Sequence, residues 1–218
     1  MKSEPLSLVD TCVVDRPINY QVRDQTLLDT HALLQRSAQL HAEADWIIRK
    51  IRLYDILQSY GEVYLTGSYL LDVMVYPDLD LYIPPLGIEQ LFKVAARLAQ
   101  CELVCEVKFQ KSYLPELPGG YYMKAVVDHG NWGRPWKVDI WSVDEALIST
   151  KMAEMSNFKQ LMTEELRQQT ILFKTSLIND ELRTPICSGY FTYKAFLEEG
   201  LRDFTEIRQY LINHGIQL

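Results

Sequence analysis

The period of the apolar positions changes several times along the chain, and each change predicts an element. Leu33, Leu34, Leu40, Trp46, Ile47, Ile51, Leu53, Tyr54 and Leu57 recur at mostly helical spacing with Leu27 and Leu28 ahead of them. This predicts one long helix or two in succession over 26–60, with Gly61 as the stop. The pattern then shortens. A strand over 62–66, a helical turn or two over 68–75 closed by Pro77, and a strand over 79–83 halted by Pro84-Pro85 follow in order. Next come an amphipathic helix over 88–100, with Leu91, Val94, Ala95 and Leu98 inward, and a strand over 103–109. SYLPELPGG, 112–120, has loop composition, and strands over 121–127 and 136–143 flank DHGNWGRP, an antiparallel connection.

From Asp144, an expected N-cap, the spacing is helical throughout, with a break at Thr184-Pro185. A last helix over 190–213 is open to interruption at Gly200 and ends near His214-Gly215. The first two dozen residues, with Pro5 and Pro17, hold no sustained period and read as an arm laid over the domain. The order of elements predicts an α+β fold: a mixed β-sheet with helices mainly on one face, followed by an all-α C-terminal helical domain. The expected division is 1–143 and 144–218.

Composition changes this picture little. With 218 residues, 48% hydrophobic and 23% charged, the chain has the make-up of an ordinary globular protein. No apolar run reaches the length of a membrane span and the start, MKSEPLSLVD, lacks a basic-then-apolar pattern, so a cytoplasmic protein is expected. The net charge of −7 disfavours a protein whose main task is to coat nucleic acid, because that binding is driven by phosphate neutralisation. Cys12, Cys101, Cys105 and Cys187 form no metal-ligand spacing with the histidines and read as reduced structural thiols.

Chemistry concentrates in VYLTGSYLLDVMVYPDLDLYI, residues 63–83. Alternation on a strand points Asp78 and Asp80 the same way while Leu79 and Leu81 enter a core. Two adjacent carboxylates repel unless a cation neutralises them, and Mg²⁺ suits a site of carboxylates plus phosphate oxygens. In KVDIW, Asp139 and Trp141 share one strand face, so pairing of this strand beside that of Asp80 would bring three acids together. Three carboxylates holding two divalent ions meet the needs of in-line nucleotidyl transfer. Gly67 permits close backbone approach to a phosphate, and Ser68 adds a hydroxyl donor at a helix start.

Gly67-Ser68, then Asp78-x-Asp80, then Asp139 inside an apolar strand, resembles the signature of the DNA polymerase beta-like nucleotidyltransferase superfamily. The resemblance covers about 63–141. It implies Mg²⁺ on Asp78, Asp80 and Asp139, and a nucleoside triphosphate such as ATP whose phosphates meet Gly67 and Ser68. The layout is most similar to small bacterial antibiotic-modifying members, which join a compact catalytic domain to a helical one. YLLDVMVYP after Ser68 departs from the Ala-Arg-Gly common there, so the acceptor does not carry over.

The expected reaction moves a nucleoside monophosphate onto a hydroxyl of a small molecule and releases pyrophosphate. Transfer to tRNA or protein, as in toxin-like members, and a silent nucleotide-binding or antitoxin-like module are the alternatives. Asp128 is a candidate general base, set against an Asx-type turn into His129-Gly130. Asp72 reads as a helix-surface charge, and Trp132, Trp136 and Trp141 as packing before base stacking. Lys151, Lys159, Arg167 and Lys174 lie on the helical tail and are candidates to meet a triphosphate, Lys174 foremost because its neighbours are apolar.

Overall fold

A computed structural model describes residues 30–111 and 120–218. The N-terminal arm, Cys12, the first four residues of the expected first helix and residues 112–119 of the expected loop lie outside the described residues. The 26–60 pattern resolves into two helices, α1 (Thr30–Lys50) and α2 (Leu53–Leu57), separated at Arg52, which takes a left-handed conformation at φ 56°. Gln58 caps α2, its N–H donating to Tyr54 O, so the helix stops before Gly61.

Five strands follow: β1 (Tyr64–Thr66), β2 (Asp78–Ile83), β3 (Val104–Lys111), β4 (Tyr121–Val127) and β5 (Trp136–Ser142). They form a mixed sheet in the order β1-β2-β5-β4-β3, in which only β2 and β5 run parallel among the described pairs. Between β1 and β2 lies α3 (Gly67–Leu70), a single turn of the one or two expected, which ends short of residue 75, and α4 (Ile88–Leu98) joins β2 to β3. Alternation then sorts the sheet's faces. Leu79, Leu81, Ile83, Ala125, Val127, Trp136, Val138 and Ile140 are buried in one core with Leu40, Ala44, Ile47 and Ile51 of α1, Leu53 and Leu57 of α2, and Leu91, Val94 and Leu98 of α4. Glu43 fastens α1 to the β4–β5 connection by accepting from Trp132 Nε1 at 2.6 Å and Trp136 Nε1 at 3.1 Å.

The remaining helices are α5 (Glu145–Leu161), α6 (Glu164–Thr175), α7 (Ser188–Leu197) and α8 (Phe204–Asn213). Asp144 caps α5 as expected, its carboxylate accepting from Ala146 N at 2.9 Å. The helix does not run through to Phe173: Thr163 Oγ1 accepts from Leu166 N at 3.2 Å and starts α6, with Glu164 and Glu165 favourable in its first turn. Asp203 starts α8 in the same way, accepting from Thr205 N and Glu206 N. A second core joins Leu33 of α1 and Leu71, Val73 and Val75 after α3 to Met155, Phe158, Ile171 and Tyr193 of the tail. Leu147, Ile148 and Met152 of α5 pack against Tyr64, Tyr82, Tyr122 and Trp141, so the tail lies over the sheet face opposite α1 and α4. None of the described helices is long and apolar enough to cross a membrane.

Candidate active site

Parallel pairing of β2 with β5 sets the site. The register places Asp80 opposite Asp139 and Asp78 opposite Lys137, and side chains directly opposite on paired strands share a face. One carboxylate oxygen from each of Asp78, Asp80 and Asp139 lies within 4.8 Å of the others, on the face away from α1 and α4. Tyr122 of β4 donates to Asp139 Oδ1 at 2.8 Å, and Lys137 Nζ lies 2.7 Å from Asp139 Oδ2. The same ammonium lies 3.2 Å from Asp78 Oδ1, an ion-pair distance, yet no described group gives that buried oxygen a hydrogen bond.

Burial and mutual repulsion dominate the electrostatics. Asp80 is pushed well above the usual carboxylate range by desolvation, then by the charges of Asp78 and Asp139. Asp139 rises to about 6 for the same two reasons, desolvation first and Asp78 second, against the opposing pull of Lys137 and Tyr122. Lys137 is held above its ordinary value by the three acids, which outweigh its own desolvation. A converged, under-compensated set of hard oxygen donors, one of them a buried oxygen that receives no hydrogen bond, fits Mg²⁺, with Asp78, Asp80 and Asp139 as the residues that would hold it.

Gly67 is required twice over. Its φ of 61° is left-handed, and an added Cβ would lie 3.0 Å from Asp80 Oδ2, so a side chain here would press on a site carboxylate. Ser68 stands beside it and accepts from Lys174 Nζ at 2.7 Å, with Tyr193 OH 3.1 Å away. Lys174 also donates to Val73 O at 2.8 Å and Tyr193 OH at 3.1 Å, so its three N–H donors meet three acceptors in a buried position. Desolvation pushes its ammonium down to about 7, while Asp78 and Asp80 pull it back up.

A cleft of about 270 Å³ opens over these groups. Gly67, Ser68, Asp78, Asp80, Lys137 and Asp139 line it, and Tyr82, Trp141, Lys151, Arg183 and Tyr190 wall it. Five of the expected residues, Gly67, Ser68, Asp78, Asp80 and Asp139, therefore meet here. Lys174 lies beneath the turn rather than in the lining, and Asp128 is exposed past the end of β4 and outside the lining. Asp72 pairs with Arg167 at 3.2 Å, Lys151 with Glu154 at 3.2 Å, and Lys159 is exposed. Trp132 and Trp136 are packing residues bonded to Glu43, while Trp141 lines the cleft against Tyr122.

Lys137, Tyr122, Tyr193 and Arg183 were not expected. Lys137 had a legible signal, because it lies two residues before Asp139 and so shares its strand face. Tyr122, Tyr193 and Arg183 arrive from distant elements and had none.

No protein-family model matches the sequence, and no curated protein does. Two solved structures of the Cid1 poly(U) polymerase resemble part of the chain. The one with magnesium and 3′-dATP is 15% identical, with a TM-score of 0.45 over 65% of this chain and 44% of that one. The one with magnesium and GTP is 16% identical, with a TM-score of 0.46 over 74% and 53%. The chain spans about half the length of these polymerases.

Proposed function

We propose that the protein is a Mg²⁺-dependent nucleotidyltransferase of the DNA polymerase beta-like type, acting with two ions on a nucleoside triphosphate and a small acceptor. The observation that carries this reading is the convergence of Asp78, Asp80 and Asp139 beside the Gly67-Ser68 turn in one cleft. An acceptor hydroxyl oxygen bonds to the α-phosphorus and gives up its proton to solvent, the bond to the β-phosphate bridge breaks, and pyrophosphate leaves. Bound Mg²⁺ supplies charge neutralisation at the phosphates and lowers the pKa of the attacking hydroxyl.

The chain's own residues hold the frame. Gly67 keeps the floor open beside Asp80. Lys174 fixes Ser68 by donating to its oxygen, which leaves the serine proton to donate to Tyr193 or to an anion in the cleft. Tyr122 and Lys137 orient the carboxylate of Asp139. The cleft lends Asp128 no support as the base.

Charge on the tail favours a small acceptor over a nucleic-acid one. Residues 144–218 carry eight lysines and arginines against eleven aspartates and glutamates. Lys151, Arg167 and Lys194 are tied to Glu154, Glu164 and Glu198, which occupies these three cations with acids of the tail itself. The test is incubation with each α-labelled triphosphate, Mg²⁺ and a cell extract, followed by mass measurement of what gains the nucleotide. Label in a small molecule supports the reading, and label in RNA or protein moves the acceptor. Triphosphate binding indifferent to Mg²⁺ with no turnover identifies a silent module.

A further inference from the structure

Lys137 puts a fixed positive charge inside the site that the three acids form. Its strand position leaves it no other face, because it sits directly opposite Asp78 and two residues before Asp139. The ammonium is 2.7 Å from one of these acids and 3.2 Å from the other, and the side chain is three-quarters buried at 26% exposure. Lys174 is the other buried lysine near the acids, but its donors go to two hydroxyls and a backbone carbonyl. Lys137 alone of the two is bound to carboxylates that would ligate an ion.

We propose that Lys137 is an internal counter-cation that weakens the site for a free divalent ion and makes ion binding depend on an arriving polyphosphate. This rests on reading the three acids as a divalent-ion site. Without an ion the ammonium neutralises part of the repulsion between Asp78 and Asp139. A free ion entering beside it meets like charge and must draw the same oxygens away from it. An ion that arrives with a triphosphate brings negative oxygens of its own, and the ammonium released from Asp78 and Asp139 then has phosphate oxygens to face. Lys137 therefore acts as a positioning residue that couples ion and triphosphate, so that the cleft does not fill with metal before the substrate comes. Coupling of this kind is reciprocal: the ion raises affinity for the polyphosphate by the same factor.

The test measures binding of Mn²⁺ alone, by electron paramagnetic resonance of the free ion, to the wild type, Lys137→Met, Lys137→Arg and Asp139→Asn. Lys137→Met is expected to bind Mn²⁺ about tenfold tighter than the wild type even under water-like screening, while Lys137→Arg stays near the wild type. A purely structural role gives the opposite sign, because loss of the lysine would scatter the acids and weaken binding. Unchanged or weaker Mn²⁺ binding by folded Lys137→Met overturns the proposal.

Should Lys137→Met not fold, the wild type decides with inorganic tripolyphosphate. Mn²⁺ affinity that rises by tenfold or more when tripolyphosphate is present, beyond their affinity for each other in solution, supports the coupling, and no rise overturns it. Failure of the parent reading looks different: wild type and Asp139→Asn would then bind Mn²⁺ equally poorly with and without tripolyphosphate.

Discussion

The two faces of the β2–β5 pair are built from one alternating pattern and carry opposite energetics. On the helix side Leu79, Leu81, Val138 and Ile140 are fully buried among apolar neighbours, where every methylene removed from water stabilises the fold. On the cleft side Asp78, Asp80 and Asp139 are drawn from water and crowded together at a cost in stability, and burial first, then mutual repulsion, raises the Asp80 and Asp139 carboxyls. One face holds the strands in register; the other uses that register to keep mutually repelling groups together. A site of this kind is expected where function, not stability, chooses the residues.

Substitutions that separate the two faces test this contrast. The largest effect is expected from Asp78→Asn/Asp80→Asn, which lowers Mg²⁺-dependent pyrophosphate release to below about a thousandth of wild type. Its metal-free melting temperature is expected to equal or exceed the wild type's, since repulsion is relieved. A calorimetric scan beside a pyrophosphate assay reads both, and a wild-type release rate would sink the catalytic reading. Leu79→Ala, one residue away on the other face, should do the reverse. It removes about 2–5 kcal/mol of stability by urea unfolding, while the fraction that remains folded keeps its rate.

Gly67→Ala is expected to fall between them. The left-handed backbone costs about 1–2 kcal/mol, and the new methyl pushes on Asp80, so Mn²⁺ affinity drops with only a modest loss of stability. Unaltered Mn²⁺ affinity in a folded Gly67→Ala protein would remove the turn from the site.

The smallest effect concerns pH. Asp139 is raised to about 6 in the folded chain, so between the ordinary carboxylate value and 6 the folded state binds more protons than the unfolded one. Stability of the metal-free protein should therefore decline as pH rises through that window. Deprotonation is also what readies the acid for an ion, so Mn²⁺ affinity should climb over the same range, by up to about tenfold per pH unit. Titrations at several pH values between 5 and 8 check the slope, and a flat profile would show that Asp139 does not exchange its proton for the ion.

Much of the local plan was readable because it rests on short-range physics. The span 121–127 matches β4, and Asp144 and Gly215 sit at the helix ends expected of them. Glycine and proline punctuation marked most of the remaining elements to within a few residues. The break at Thr163 was legible too, since a threonine followed by two glutamates is a helix start, but the unbroken apolar spacing on either side masked it. Tyr193 and Tyr122 were not legible at all, because each reaches the site through contacts with residues far away in the chain. Lys174 stood out in sequence for its apolar surroundings. That these surroundings tie it to Ser68 and Val73 instead of opening it to the cleft depends on how α6 and α7 pack against the segment after α3.

By itself, the sequence determined which face of each strand a residue occupies, because alternation is a property of an extended backbone. Asp78 was bound to share a side with Asp80, and Lys137 with Asp139, whatever the fold. Which strands are neighbours is a different kind of fact. β2 and β5 are parallel and separated by two strands and a helix, so their pairing is secured only when α1, α2 and α4 close over the apolar face and the register locks. Tertiary structure alone decided that two same-sided pairs would become one cluster of three acids with a lysine set among them.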